Sequence, residues 1–271
     1  MVSMKIFKLI IFYIFLNASF YSQIKLCTWN LENFGKSKID SSILFIATTL
    51  KNMDVIAVEE VVAGNGGAQA IARLHDALNR TGNKWDYCVS NPTTGSPNKI
   101  ERYAFLWKTS RLKKIGECML DENFKTEIER EPYMATFIYD TKEFSISALH
   151  AIPKDSKPET ELKYLQFIPE KYPTKTILFC GDYNCSESHS VFNPLKKLGY
   201  SPIITNQKTS LKKECKNNIC LASEYDNIFY KNDKIKLIKS GVIHFYTSFE
   251  TLKEARKISD HLPVFCEFEI K

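Results

Sequence analysis

Tyr133-Met134-Ala135-Thr136-Phe137-Ile138-Tyr139 and Phe144-Ser145-Ile146-Ser147-Ala148-Leu149 are two apolar runs separated only by residues 140–143, with no helical spacing between them. Strands that follow one another so closely read as an antiparallel pair, because a parallel crossover needs a dozen or more intervening residues. The pair breaks the strand-helix-strand rhythm of a doubly wound parallel sheet. Elsewhere short apolar, β-branched runs at 24–29, 55–58, 103–107, 176–180, 227–230 and 262–268 alternate with helical spacing at 41–50, 68–78, 159–168 and 190–198;. A turn at 64–67 is expected to precede the second helix. The fold class expected is therefore α/β, with mixed β-sheets and helices outside them.

Residues 1–22 read as an export signal. Lys5 and Lys8 precede an apolar core at 9–16, and Ala18, Ser19 and Ser22 offer cleavage points, with the cut expected after Ser22;. The apolar core falls short of the ~20 residues of a membrane span. An exported protein, secreted or periplasmic, without stable membrane association after cleavage is expected; retention of the segment as an anchor is the alternative. Residues 23–271 suit one domain, expected to be monomeric. Loss of Lys5 and Lys8 lowers the formal charge from +6 to +4, which permits a polyanionic partner without requiring one;. Eight cysteines are few for this length, and no Cys-x-x-Cys pair suggests zinc;. Cys215 and Cys220 bracket a polar turn and form the expected local disulfide, with Cys185 as competitor, while Cys27, Cys180 and Cys266 sit in apolar runs as buried thiols.

Polar groups gather at the ends of the apolar runs. Ser259-Asp260-His261 precedes the last strand, and upstream lie Thr28-Trp29-Asn30, Glu59-Glu60, Glu101-Arg102-Tyr103, Leu149-His150, Gly181-Asp182-Tyr183-Asn184 and Tyr225-Asp226-Asn227. Polar residues placed this way on many strands can converge on one site. His189 and His244 have no such surroundings and read as surface or packing residues.

As an ordered set, these motifs resemble those of the endonuclease/exonuclease/phosphatase superfamily, which includes deoxyribonuclease I and its relatives, over residues 28–264. The resemblance implies a four-layer α/β sandwich of two packed mixed sheets flanked by helices. It implies a hard divalent cation, Mg²⁺ with Mn²⁺ or Ca²⁺ as substitutes, held by Asn30, Glu60, Asp182, Asn184 and Asp260, since oxygen donors suit such ions. It also implies catalytic roles for His150 and His261, oriented by Glu101 and Asp226, with Asp182 directing water or metal and Asn184 donating to phosphate. His150 favours the deoxyribonuclease I branch, because abasic-site endonucleases place an asparagine there. Glu59 stands where many relatives carry glutamine, and is expected either to add negative charge near the cation or to face away.

The activity implied is hydrolysis of phosphodiesters, most simply of DNA as a nucleic acid substrate with little base preference. A phosphatase or phospholipase acting on inositol phosphate or sphingomyelin, or a partner-binding, toxin-like module, are the alternatives. Basic Lys99, Arg102, Lys154, Lys208, Lys212 and Lys213 are expected in or beside segments rimming the site, and the loops at 64–67, 92–99 and 153–158 are polar. Lys99 and Val62 replace the tyrosine and arginine with which deoxyribonuclease I contacts the minor groove, so groove reading is not carried over.

Overall fold

The computed structural model describes residues 23–96 and 99–271; the export signal expected at 1–22 lies outside them. Among the described residues two six-stranded sheets face each other. The first runs, from edge to edge, β13 (Ile235–Val242), β14 (Val264–Ile270), β1 (Ile24–Phe34), β2 (Val55–Val62), β4 (Glu101–Lys108) and β3 (Trp85–Val89). The second runs β5 (Lys113–Leu120), β6 (Tyr133–Tyr139), β7 (Lys142–His150), β8 (Ile177–Asp182), β12 (Asp226–Lys231) and β9 (Tyr200–Pro202). Each holds one parallel pair, β1 with β2 and β7 with β8, and pairs antiparallel elsewhere. The expected mixed sheets are thus present, and the 133–149 segment is the antiparallel hairpin β6–β7.

The central strands are apolar on both faces because both faces are covered. Ile24, Leu26, Val55, Ala57, Phe105 and Trp107 meet Tyr133, Phe137, Phe144, Ile146, Leu178 and Ile228 between the sheets. Helices α1 (Asp40–Leu50) and α2 (Asn65–Asn79) cover the outer face of the first sheet with Ile43, Ile46, Ile71 and Leu74. The second sheet is covered by shorter pieces. The continuous helices expected at 159–168 and 190–198 are each broken into 3-10 and α segments, with Pro169 and Pro194 starting α turns at Ile168–Lys171 and Asn193–Lys197. Proline fixes φ and lacks an N–H, so it opens a helical turn and cannot continue one. The expected turn at 64–67 is instead the first turn of α2, which begins at Asn65.

Two disulfides are present. Cys215–Cys220 closes the separate ribbon of β10 (Leu211–Lys216) and β11 (Ile219–Leu221), as expected. Cys88–Cys118 ties edge strand β3 of one sheet to edge strand β5 of the other. Cys185 is a free thiol, and Cys27, Cys180 and Cys266 are free and buried.

The parallel pairs decide where chemistry can happen. In each sheet they send two C-terminal strand ends to one edge, and their antiparallel neighbours β4, β12 and β14 begin at that same edge. Strands β7 and β8 lie close together at Gly181, where φ is +130° and an added Cβ would lie 2.0 Å from the Leu149 carbonyl oxygen. Glycine alone tolerates both the conformation and the contact. Gly181→Ala is expected to force β7 from β8, break the His150–Asp182 register and lower the melting temperature sharply. A melting curve unchanged from wild type would show that the strands have room to part.

Candidate active site

Seven strands deliver polar side chains to this edge. Asn30 comes from β1, Glu60 from β2, Glu101 from the start of β4, His150 and Asp182 from the ends of β7 and β8, and Asp226 from the start of β12. His261 lies just before β14. They line or underlie a cleft of about 480 Å³ whose walls include Glu60, Glu101, Arg130, His150, Asp182 and His261.

Two imidazole–carboxylate pairs meet there. His150 Nδ1 lies 2.9 Å from Glu101 Oε2, and His261 Nδ1 lies 2.8 Å from Asp226 Oδ2. A carboxylate on Nδ1 orients the ring and leaves Nε2 as the reactive nitrogen. The two Nε2 atoms face one oxygen, Asp182 Oδ2, at 3.5 and 3.6 Å. Burial works against a charged ring, but Glu101 and Asp182 overcome it and hold the pKa of His150 at about 9. The same opposition, with Asp226 and Asp182 winning, raises His261 well above the ordinary value. Burial likewise resists ionisation of Asp182, yet the two histidines keep it below the usual carboxylate range.

The supporting bonds explain the short motifs. Ser259 Oγ donates to the Asn30 carbonyl at 2.6 Å and accepts the His261 N–H at 2.9 Å, while Trp29 Nε1 donates to the His261 carbonyl at 2.7 Å. The pairs Trp29-Asn30 and Ser259-His261 therefore form one clasp. Asp182 accepts the Asn184 N–H at 2.8 Å, which curls Asn184 into the left-handed region at φ +48°. Thr209 donates to Asp226 Oδ2 at 2.6 Å, and Tyr103 Oη accepts the His150 N–H at 3.1 Å.

Glu59 and Glu60 are separated by a register shift in β2 between Val58 and Val61. Glu60 takes φ +56° and turns toward the cleft, where it accepts from Asn30 Nδ2 at 2.9 Å and the Asn33 N–H at 2.9 Å. Irregular, strained backbone beside a site is a common means of re-aiming a side chain. Glu59 faces away. It is fully buried, accepts from Thr28 Oγ1 at 2.6 Å and leaves Oε2 without a partner. Burial pushes its carboxyl well above the ordinary range.

Oxygen donors suited to a hard cation are gathered here. Glu60 and Asp182 are bridged by Asn30 Nδ2, at 2.9 and 3.1 Å, and Asp260 Oδ1 stands 3.9 Å from His261 Nε2. Asp182, Asp226 and His261 also present atoms within 4.8 Å of one another. Asp226 is the poorest donor of the three, since one of its oxygens already takes both His261 and Thr209. Asn30 departs from expectation: its oxygen accepts the Glu32 N–H at 2.9 Å and its nitrogen points at the carboxylates. So oriented, its amide nitrogen bridges the Glu60 and Asp182 carboxylates while its oxygen is engaged by the backbone. Asn184 donates an amide hydrogen to the Ala151 carbonyl at 3.0 Å.

Arg130 was not among the expected residues. It is buried, donates to the carbonyls of His150 at 2.8 Å and Ala151 at 2.6 Å, and lies 3.5 Å from Glu101. A charged group immediately before an apolar strand, in Arg130-Glu131-Pro132, was the available signal. Its neighbours Glu129 and Glu131 accept from the backbone of Ser96 at 2.5 Å and Thr94 at 2.9 Å, fixing the loop on one side of the cleft. Arg102, expected in or beside the rim, donates to the carbonyls of Ala63 and Ser90. The rim is also less polar than its loops suggest, because Val62 and Ile100 are exposed on it.

The family described as Endonuclease/Exonuclease/phosphatase matches residues 27–261. A protein called Deoxyribonuclease, from Thioalkalivibrio sp. (strain K90mix), is 24% identical over 283 residues, covering 96% of this chain and 75% of that protein. Deoxyribonuclease-1 of Canis lupus familiaris is 29% identical over 178 residues, 61% of this chain and 62% of the relative, less than two thirds of its length. Among solved structures, an endonuclease/exonuclease/phosphatase family protein from Bacteroides thetaiotaomicron shares the fold. Its TM-score is 0.67 at 15% identity, covering 92% of this chain and 98% of that one.

Proposed function

This chain belongs to the endonuclease/exonuclease/phosphatase family, and on that footing we propose that it is an exported, metal-dependent endonuclease of the deoxyribonuclease I type, cutting DNA with little sequence preference. The observation that carries the reading is the convergence of two separately oriented imidazoles on Asp182, in a chain with deoxyribonuclease-named relatives on either side of the bacterial–mammalian divide. Residues 23–271 act as one domain in this reading. The two disulfides favour an oxidising compartment;.

Hydrolysis of a phosphodiester needs a base for the attacking water, an acid for the leaving oxygen and positive charge at the phosphate. One imidazole, neutral at Nε2, takes a proton from water as its oxygen bonds to phosphorus. The other, protonated at Nε2, gives a proton to the departing alkoxide, so that a phosphate monoester and an alcohol result. Glu101 and Asp226 stabilise whichever ring is cationic. The residues present fit a divalent cation: Glu60, with Asp182 and Asp260, would hold it, and when bound it supplies charge neutralisation at the phosphate. Arg130 adds a fixed positive charge behind Glu101, and Asn184 is left with one amide hydrogen for a phosphate oxygen.

The purified protein in Mg²⁺ is expected to nick supercoiled plasmid at low salt, with a marked loss by ~0.2 M salt as counterion release disfavours binding. Vigorous hydrolysis of inositol phosphates or sphingomyelin with plasmid left supercoiled would replace the nuclease reading with that of a phosphatase or lipase on the same constellation.

A further inference from the structure

The ribbon β10–β11 grows directly out of the catalytic wall. Ser210 pairs with His261, the Leu211 N–H donates to the Asp260 carbonyl at 2.7 Å, and the Leu262 N–H donates to the Thr209 carbonyl at 2.6 Å. The returning leg is pinned by the Ala222 N–H on the Ser210 carbonyl and leads within four residues to Asp226. Both legs therefore end on residues that orient His261.

Beyond Leu211, which is buried, the ribbon contributes little to the core, since residues 213–219 are all exposed. A lone pair of strands is marginal in water; this one rests on the 250–256 segment, where Arg256 donates to the Leu211 carbonyl at 3.0 Å, and is doubly constrained at its tip. Asn217 and Asn218 take φ of +51° and +62°, the signature of a two-residue type I′ turn;. Cys215 and Cys220 bond across the strands one step below it. Lys208, Lys212, Lys213 and Lys216 face a single acid, Glu214, within this segment. Among the described residues none of the four lysines is in an ion pair. The outer half of β10, residues 213–215, lines a cleft with Glu250, Lys253 and Arg256 in and beside the helical turn Leu252–Ala255, and Arg256 is paired with Asp260. Nothing in folding asks for a stapled, exposed and basic ribbon at this place.

We propose that the stapled ribbon is a rigid arm that grips the phosphate backbone of duplex DNA away from the scissile bond; the proposal rests on the nuclease reading. Leu211 faces Leu221 and Lys216 faces Ile219 across a register shift, so the three residues of β11 set the length, roughly 10 Å from base to tip at ~3.3 Å per residue;. That is about three base pairs of B-form duplex at ~3.4 Å each. Holding the lysines in place beforehand lowers the ordering cost of binding.

The test compares the full-length protein with a Lys212→Ser/Lys213→Ser/Lys216→Ser variant. Binding to a duplex long enough to reach the ribbon tip is measured in EDTA across a salt series, alongside plasmid nicking and hydrolysis of bis(4-nitrophenyl) phosphate in Mg²⁺. The plot of log affinity against log salt should become shallower by about 2 to 3, from ~0.9 per lost phosphate contact. Hydrolysis of the small diester should not change. Separating the strands with Cys215→Ser/Cys220→Ser should weaken duplex binding while leaving the lysines in place. A triple variant that keeps the wild-type salt slope, or one that loses the small diester equally, overturns the arm. If wild type nicks plasmid and the slopes coincide, the arm falls alone; if wild type hydrolyses the diester and leaves plasmid intact, the nuclease reading falls and takes the arm with it.

Discussion

His150→Ala and His261→Ala are each expected to fold and to turn over plasmid DNA at least ~10²-fold more slowly than wild type, the lower range for losing a positioned acid or base. Folding should survive because the carboxylates left behind keep other partners. Glu101 retains Arg130, and Asp226 retains the Thr209 hydroxyl. The losses should exceed those of Glu101→Gln or Asp226→Asn, which leave the rings present but remove the group that fixes Nδ1. Either alanine variant retaining more than about a third of wild-type turnover at saturating metal would show that its ring takes no part in proton transfer.

Chelation is expected to abolish activity while leaving the fold, and Mg²⁺ or Mn²⁺ should restore it. Without a cation the carboxylates Glu60 and Asp182 are balanced by protons on the two rings, 3.5 to 3.8 Å away. Those protons carry a pH signature. Both histidines have folded-state pKa values above the unfolded value of ~6.5, about 9 for His150. The contribution of His150 to stability is complete below ~6.5 and is lost as pH rises through about 9, and that of His261 is lost as pH rises through its own raised value;. Melting temperature in EDTA should therefore fall across this window, and a flat profile would show that the rings are not the counter-charge. Full activity in excess EDTA would overturn the hard-metal assignment.

The motif residues were legible because each sits at the end of an apolar strand, where alternation and burial leave a local mark. The interior strands were readable for the same reason. Strands covered on both faces are apolar runs, and their order along the chain already rules out a parallel sheet. Cys215–Cys220 was equally local, five residues apart across a polar turn.

What escaped the sequence was whatever depends on a distant partner. Edge strands β3, β5 and β13 pair on one side only, and β5 and β13 are polar enough to read as loops. Cys88–Cys118 exists because two sheet edges meet across 30 residues of chain. Arg130 became part of the site only when β7 offered it the carbonyls of His150 and Ala151. The sequence placed two adjacent glutamates at the end of β2, but a register shift decided that Glu60 faces the cleft and Glu59 is buried beneath it. It placed an asparagine at the end of β1, but the Glu32 N–H decided which end of that amide meets the carboxylates. Residue chemistry is a property of the chain. Its direction is set by hydrogen bonds to strands that only the folded protein brings alongside.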